Sequence, residues 1–420
     1  MAMKSVSGRL LPERSAAPLC AFLLLAIAPI HTLPPSAILW TAPSILVAAL
    51  LIAWAAESAQ FFVAQGFALA ILAWLQTLPE FAVEAVLAWK QLVPLLLANL
   101  TGALRLLTGL GWPMIYVTAA VAHRMRTGQP LRRIVLEAEH AIEVVGLLAC
   151  MAYAGVIWWK ATLTLVDAAI LIAIYVAYLV VLQRIPPQES ERIEDLELIP
   201  RTIVKARPLL RNAVIVILFA LGGLLIYFMA EPFLGSLLAL SATLGVPNFV
   251  FVQWVAPFVS EFPEKVSAFY WARKPEGASM ALMNMVSSNI NQWTLLAAML
   301  PIVFSASRGT PSVIAFDANQ ELEILMTLGQ SLVGALLLMN MELAWWEALA
   351  LFLLWAIQFA LSPVAPSPGF WGTVAGGIHR YVTFTYLAWA AVEIARMLFG
   401  WRKPLAIYRF AETWRRHVKQ

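Results

Sequence analysis

Charge is scarce in this chain. Only 12% of its 420 residues are Asp, Glu, Lys or Arg, against about 25% in an ordinary soluble domain. That excludes a globule surrounded by water. Cysteine is scarcer still, with Cys20 and Cys150 far apart in apolar segments. A disulfide-stapled scaffold is excluded, and both thiols read as small packed hydrophobes. The histidines number five and are scattered, which argues against a zinc site. The phosphate-cradling G-x-x-x-x-G-K-[ST], the zinc helix H-E-x-x-H and the nucleophile turn G-x-S-x-G are all missing. The chain therefore reads as a non-enzyme with no cofactor of its own. Alternation of apolar and polar residues is missing too, which excludes a membrane barrel. Bases are too few, and too close to apolar segments, for a nucleic-acid surface.

What is present in quantity is apolar surface, 61% of all residues. Runs of 18 or more apolar residues recur, so the expected fold class is an all-α polytopic membrane protein. Twelve spans are expected, near 16–32, 38–56, 61–89, 92–121, 141–159, 163–183, 209–230, 249–272, 278–304, 322–340, 345–363 and 378–399. The first is read as a retained helix rather than a cleaved leader, because no small-x-small site precedes the Pro-rich PIHTLPPS. The apolar stretch 233–246 either extends the span before it or lies in the interface. Trp112, Trp158, Trp159, Trp345, Trp346 and Trp401 stand near expected helix ends, as interfacial belts do.

Lys and Arg set the orientation. With the N-terminus inside, inner segments hold 21 of the 28 and outer loops hold four, Lys90, Lys160, Arg308 and Arg380. That bias follows the positive-inside rule and puts both termini in the cytoplasm of a cell-membrane protein.

The chain is organised around residues 260–291, SEFPEKVSAFYWARKPEGASMALMNMVSSNIN. The stretch carries Glu261, Glu264 and Glu276 in strongly apolar surroundings. A lipid-buried ionisable residue costs roughly 2.5–3.5 kcal/mol and is a functional-site hypothesis by default. Residues 76–102, QTLPEFAVEAVLAWKQLVPLLLANLTG, echo it. Pro79-Glu80 aligns with Pro263-Glu264, Thr77 falls on Glu261, and Asn99 answers Asn284. Five spans separate the copies, so they run in opposite directions across the membrane. Inverted repeats with interrupted helices point to a transporter whose site lies between them at mid-depth. Glu80 is about nine residues from one helix end and Glu264 about nine from the other, each roughly 13 Å at 1.5 Å per residue. Two carboxylates with amides, hydroxyls and proline-freed carbonyls make an all-oxygen site for a hard cation.

These residues resemble the repeats of the sodium/calcium exchanger superfamily, the cation/Ca²⁺ antiporters. That family's repeat reads roughly G-T-S-L-P-E-L, then G-N/D-x-x-G-S-N some twenty residues on. Here the copies read Q-T-L-P-E-F with A-N-L-T-G-A-L, and S-E-F-P-E-K with M-N-M-V-S-S-N. The resemblance implies secondary antiport of Ca²⁺ against Na⁺ or H⁺. It carries ion ligation onto Glu80, Glu264, Asn99 and Asn284, and more weakly onto Thr77, Ser260, Ser288 and Asn289. It departs at Ala98 and Met283, which replace glycines, and at Ala103 and Leu104, which replace Ser-Asn. Glu261, Lys265, Glu84 and Arg105 add charges that could modulate the site. For Glu261 and Lys265 the simpler reading is an i,i+4 ion pair. For Glu84 it is snorkelling to the outer surface, and for Arg105 it is pairing with a buried acid.

The expected organisation has five parts. Residues 1–37 hold a tail and an extra helix, 38–183 the first five-helix repeat and 184–211 a cytoplasmic connector. Residues 212–363 hold the second repeat, and 364–420 a last helix and a basic tail. The partners implied are lipid and inorganic cations. A non-transporting or proton-coupled descendant of an antiporter is the competing expectation.

Overall fold

A computed structural model describes residues 34–62, 77–184, 193, 196–274, 277–364 and 369–418. The expected first span at 16–32, Cys20 and Glu276 lie outside the described residues. The fold is almost wholly helical. The first repeat holds α1 (Ile38–Ala59), α2 (Leu78–Trp89), α3 (Val93–Leu106), α4 (Trp112–Thr127), α5 (Ala141–Lys160) and α6 (Leu165–Gln183). A short connector helix follows, α7 (Leu198–Lys205). The second repeat holds α8 (Pro208–Leu244), α9 (Asn248–Ser260), α10 (Phe262–Ala272), α11 (Gly277–Asn291), α12 (Ala297–Arg308), α13 (Ala318–Leu338) and α14 (Trp345–Leu361). Then come α15 (Phe370–Leu398) and α16 (Leu405–Thr413).

Among the described residues, seven helices are long and apolar enough to cross a membrane. Of the other expected crossings, 249–272 is broken and α14 has only 17 residues, while α15 runs for 29 residues without reaching that apolarity. The expected span 249–272 is two helices, because α9 stops at Glu261 (φ −94°, ψ 4°) and α10 restarts with Pro263 in its first turn. In the first copy α2 likewise starts just after Thr77, with Pro79 in its first turn. A proline there loses no hydrogen bond, since its N–H would have had no partner. The 233–246 stretch extends its predecessor, giving one helix of 37 residues.

The third crossing of each repeat is also interrupted alike. α3 joins α4 through a π-turn at Leu107–Gly111, and α11 joins α12 through one at Gln292–Leu296. Each turn begins eight residues after its asparagine, 99 to 107 and 284 to 292. π-turns of this kind gather at functional sites.

Two small antiparallel ladders tie the halves together. β1 (Arg133–Val135) pairs with β4 (Glu342–Ala344), and β2 (Thr162–Leu163) with β3 (Ile314–Ala315). β1 precedes the fourth crossing of the first repeat as β3 does in the second, and β2 and β4 precede the fifth. The two-fold that exchanges the repeats therefore also exchanges the ladders. Each ladder joins loops that the Lys and Arg count assigns to one side. Other links agree, including Arg133 with Glu342 at 2.8 Å and Lys90 with Glu231 at 2.5 Å.

The core is continuous through both repeats. α1 lies along α8, α3 against α9, and α13 against α15. Cys150 is buried and free. Trp159, Trp345 and Trp401 are exposed, as a belt requires. Trp112 is not. It is fully buried against Gly334, because α4 runs on to Thr127 and leaves this ring deep inside.

Candidate functional site at the repeat interface

Both Pro-Glu pairs open helices inside the protein. Glu80 stands in the first turn of α2 and Glu264 in the first turn of α10. Each carboxylate therefore sits at the positive end of a helix dipole, which stabilises an anion. Both are buried, as are Glu84, Glu261 and Lys265. Glu84, Glu261 and Glu264 all lie within electrostatic range of Glu80.

Gln292, at the start of the second π-turn, bridges them. Its amide donates to Glu80 Oε2 and to Glu261 Oε1, both at 2.8 Å. Lys265 Nζ donates to the other oxygen of Glu261 at 2.5 Å. Ser288 donates to Glu264 Oε1. Asn99 donates to Glu84 Oε1 at 3.2 Å, so Glu84 is held inside rather than reaching for the outer surface. Asn291 crosses the interface to Thr77 Oγ1 at 2.6 Å. Positions 284, 288 and 291 share one face of α11, four and three residues apart.

The remaining expected residues are placed differently. The Ser260 hydroxyl donates to the Ala256 carbonyl of its own helix at 3.0 Å. Asn289 points away from that face, donating to Thr108 Oγ1 at 3.3 Å and to Met285 O at 3.2 Å. Arg105 does not join the acids by any hydrogen bond. It pairs with Glu323 Oε2 at 2.7 Å, where Gln253 also donates at 2.8 Å and His379 holds the other oxygen. Its charge is balanced there, so it drops out of the count of charges around Glu80 and Glu264.

Buried polar atoms are normally hydrogen-bonded, and an orphan costs about 1–3 kcal/mol. Here Glu80 Oε1, Glu84 Oε2, Glu264 Oε2, Asn99 Oδ1, Asn284 Oδ1, Asn291 Oδ1 and Gln292 Oε1 are all buried without a protein partner. Asn284 Nδ2 is orphaned as well, so this amide makes no protein hydrogen bond at either end, and the seven oxygens belong to residues of the two motifs and of the second π-turn. Among the described residues, no three His, Cys, Asp or Glu side chains stand close enough to hold an ion by themselves. A cation held here needs the amides and hydroxyls as well. An oxygen-rich set of this kind suits Ca²⁺, which takes six to eight oxygens.

Gln292 and Asn291 were not among the residues singled out from sequence. The signal was there: the polar run 284–291 continues into Gln292, and its helical spacing sets 284, 288 and 291 on one face. The π-turn that brings Gln292 over the acids has no such signature.

A family model described as "Sodium/calcium exchanger protein" matches residues 36–183 and 214–362. Among solved structures, the chain is similar to one described as H+/Ca2+ exchanger CAX. It shares 29% identity with that structure, at a TM-score of 0.80 over 96% of each chain. YfkE matches at TM-score 0.60 and 14% identity, over 83% of this chain and 98% of that one. The sodium-calcium exchanger NCX_Mj matches at TM-score 0.51 and 16% identity, over 81% of this chain and 99% of that one. The last two are likenesses of fold alone. No curated protein matches the chain.

Proposed function

Because the chain belongs to the sodium/calcium exchanger protein family, we propose that it is a secondary active antiporter that carries Ca²⁺. The cation binds between the repeats at Glu80 and Glu264, with oxygens from Asn99, Asn284, Asn291, Gln292 and Glu84. One observation carries the reading: carboxylate and amide oxygens of both motifs and of the second π-turn are buried without a protein partner. Such a set is costly until a cation satisfies it. Thr77, Ser260 and Ser288 shape the site more than they fill it. Asn289 faces away from it. The N- and C-termini face the cytoplasm of the cell membrane, as the Lys and Arg distribution requires.

Coupling follows from sharing. Two species that need the same carboxylates cannot occupy them together, so release of one accompanies binding of the other. The repeats rock around the fixed site, and only one side is open at a time. The proton is the favoured coupling ion. The structure described as an H+/Ca2+ exchanger matches over nearly the whole chain, at 29% identity. Four acids at one site can also carry protons on the return leg.

The test is ⁴⁵Ca²⁺ uptake into proteoliposomes under an imposed H⁺ or Na⁺ gradient. We expect uptake driven by H⁺, with Glu80→Gln and Glu264→Gln each lowering the rate 100-fold or more. Uptake indifferent to both substitutions would remove the site. Uptake driven by Na⁺ alone would keep the site and replace the coupling ion. A protein that folds, reconstitutes and moves nothing would be the non-transporting descendant.

A further inference from the structure

Lys265 follows Glu264 directly, and its ammonium is buried. It donates to Glu261 Oε2 at 2.5 Å, and Glu261 shares the Gln292 amide with Glu80. Its charge acts on both Glu80 and Glu264. A fixed positive charge thus stands inside the acid cluster that the proposed function assigns to exchanged cations.

The first repeat has nothing like it. The residues aligned with Glu261 and Lys265 are Thr77 and Phe81, one acid and one base fewer. An inert helix pair would be an odd reason for the difference. Exposed i,i+4 pairs contribute about 0.3–0.5 kcal/mol. Buried ones pay a desolvation penalty of several kcal/mol per ion and are often matched by apolar residues. Thr77 and Phe81 at the equivalent place show that the repeat can be built without the pair.

We propose that Lys265 is a tethered monovalent cation of the transport site. It fills, by covalent attachment, a position that a mobile cation would otherwise occupy, and Glu261 is the carboxylate that holds it. Because the ammonium cannot leave, each cycle carries one fewer monovalent cation against Ca²⁺ than four carboxylates would otherwise require. Of the four acids Glu80, Glu84, Glu261 and Glu264, Glu261 is the one held by Lys265 Nζ, so one carboxylate of the four is withheld from mobile cations. This rests on the reading of those acids as the Ca²⁺ site.

The measurement is the charge moved per Ca²⁺. Full-length protein is reconstituted in liposomes, the membrane potential is clamped at a series of values, and the potential of zero net Ca²⁺ flux is found for each imposed gradient of the coupling ion. We expect Lys265→Met to raise the countertransported monovalent cations by one per Ca²⁺. Glu261→Gln, which leaves the ammonium without its carboxylate, should lower them by one. The double variant Glu261→Thr/Lys265→Phe, which copies the first repeat, should return the count to the wild-type value. Wild-type counts in both single variants would overturn the proposal. So would a folded double variant whose count departs from the wild-type value, since removing the tethered cation together with its carboxylate leaves the number of mobile cations unchanged. Otherwise one single variant that transports with a shifted count is enough to uphold it. A wild-type protein that takes up no Ca²⁺ at all would instead overturn the antiport reading, so the two failures are told apart.

Discussion

Glutamine has no charge to lose, and position 292 uses that. An amide can donate to two carboxylates at once and still keep its own oxygen as an acceptor. Gln292 does both donations, to Glu80 and to Glu261, and its Oε1 is buried without a protein partner. Hydrogen bonds to charged groups contribute about 1.5–3 kcal/mol each. Partners of this kind typically tune cation affinity 10- to 100-fold. Replacing Gln292 by Leu, the residue at 107 in the first repeat, should therefore raise the half-saturating Ca²⁺ concentration tenfold or more. Initial uptake rates over a Ca²⁺ series measure it, and an unchanged midpoint would take Gln292 out of the site. At this scale the sequence was partly legible. The duplicated Pro-Glu and the two asparagines could be read because proline and buried charge are rare in apolar helices. The structure sets both glutamates in first turns of helices. The side-chain directions of Asn289 and Ser260 could not be read, because neighbouring positions on one helix look alike in composition and differ only in angle. That Arg105 pairs with a buried acid was legible, but not which one, since Glu323 lies 218 residues away.

The elements of the site touch at backbone distance. Gly102 on α3 faces the main chain of Gln253 on α9, and a Cβ there would lie 1.8 Å from the Gln253 carbonyl oxygen and 2.7 Å from its carbon. No rotamer relieves a clash with main chain. In membranes such small-residue contacts let helices approach, where no hydrophobic drive exists between them. Gly102→Ala should push α9 off α3, cost more than about 1–3 kcal/mol, and lower both the melting temperature and the uptake rate. Gly223→Ala is the matched control. Nothing lies within 4 Å of that position on α8, so its melting temperature should stay within a few degrees of wild type. Equal losses in both variants would reduce the contact to ordinary helix propensity. The span plan was legible at this scale, since long apolar runs fix crossings whatever packs around them. The break at Glu261 and the start of α2 after Thr77 were legible as prolines. The two π-turns were not, because a π-turn is a response to packing between helices and carries no residue signature.

Across the whole molecule, buried charge holds the extra C-terminal helix to the repeats. Arg402 reaches back from the end of α15 to Glu393 at 2.9 Å, Glu347 at 2.8 Å and the Leu337 carbonyl at 2.5 Å. The tail then docks against the fourth crossings, with Ala406 N donating to Met339 O at 2.9 Å. A second cluster does the same deeper in. Arg105 on α3, Gln253 on α9 and His379 on α15 all converge on Glu323 of α13. One carboxylate thus joins the first repeat, the second repeat and the added helix. Removing one partner of a buried pair leaves a charge stranded and costs about 3–5 kcal/mol, whereas replacing both can be nearly neutral. Arg105→Met should therefore destabilise strongly. Glu323→Leu should destabilise more, since Gln253 and His379 lose their acceptor as well. The double variant should lose less than the sum of the two, by at least about 1–3 kcal/mol of coupling. Thermal unfolding of the four proteins in one detergent measures the cycle. Losses that simply add would mean that Arg105 and Glu323 act apart, and that something other than this cluster holds α15 to the transporter.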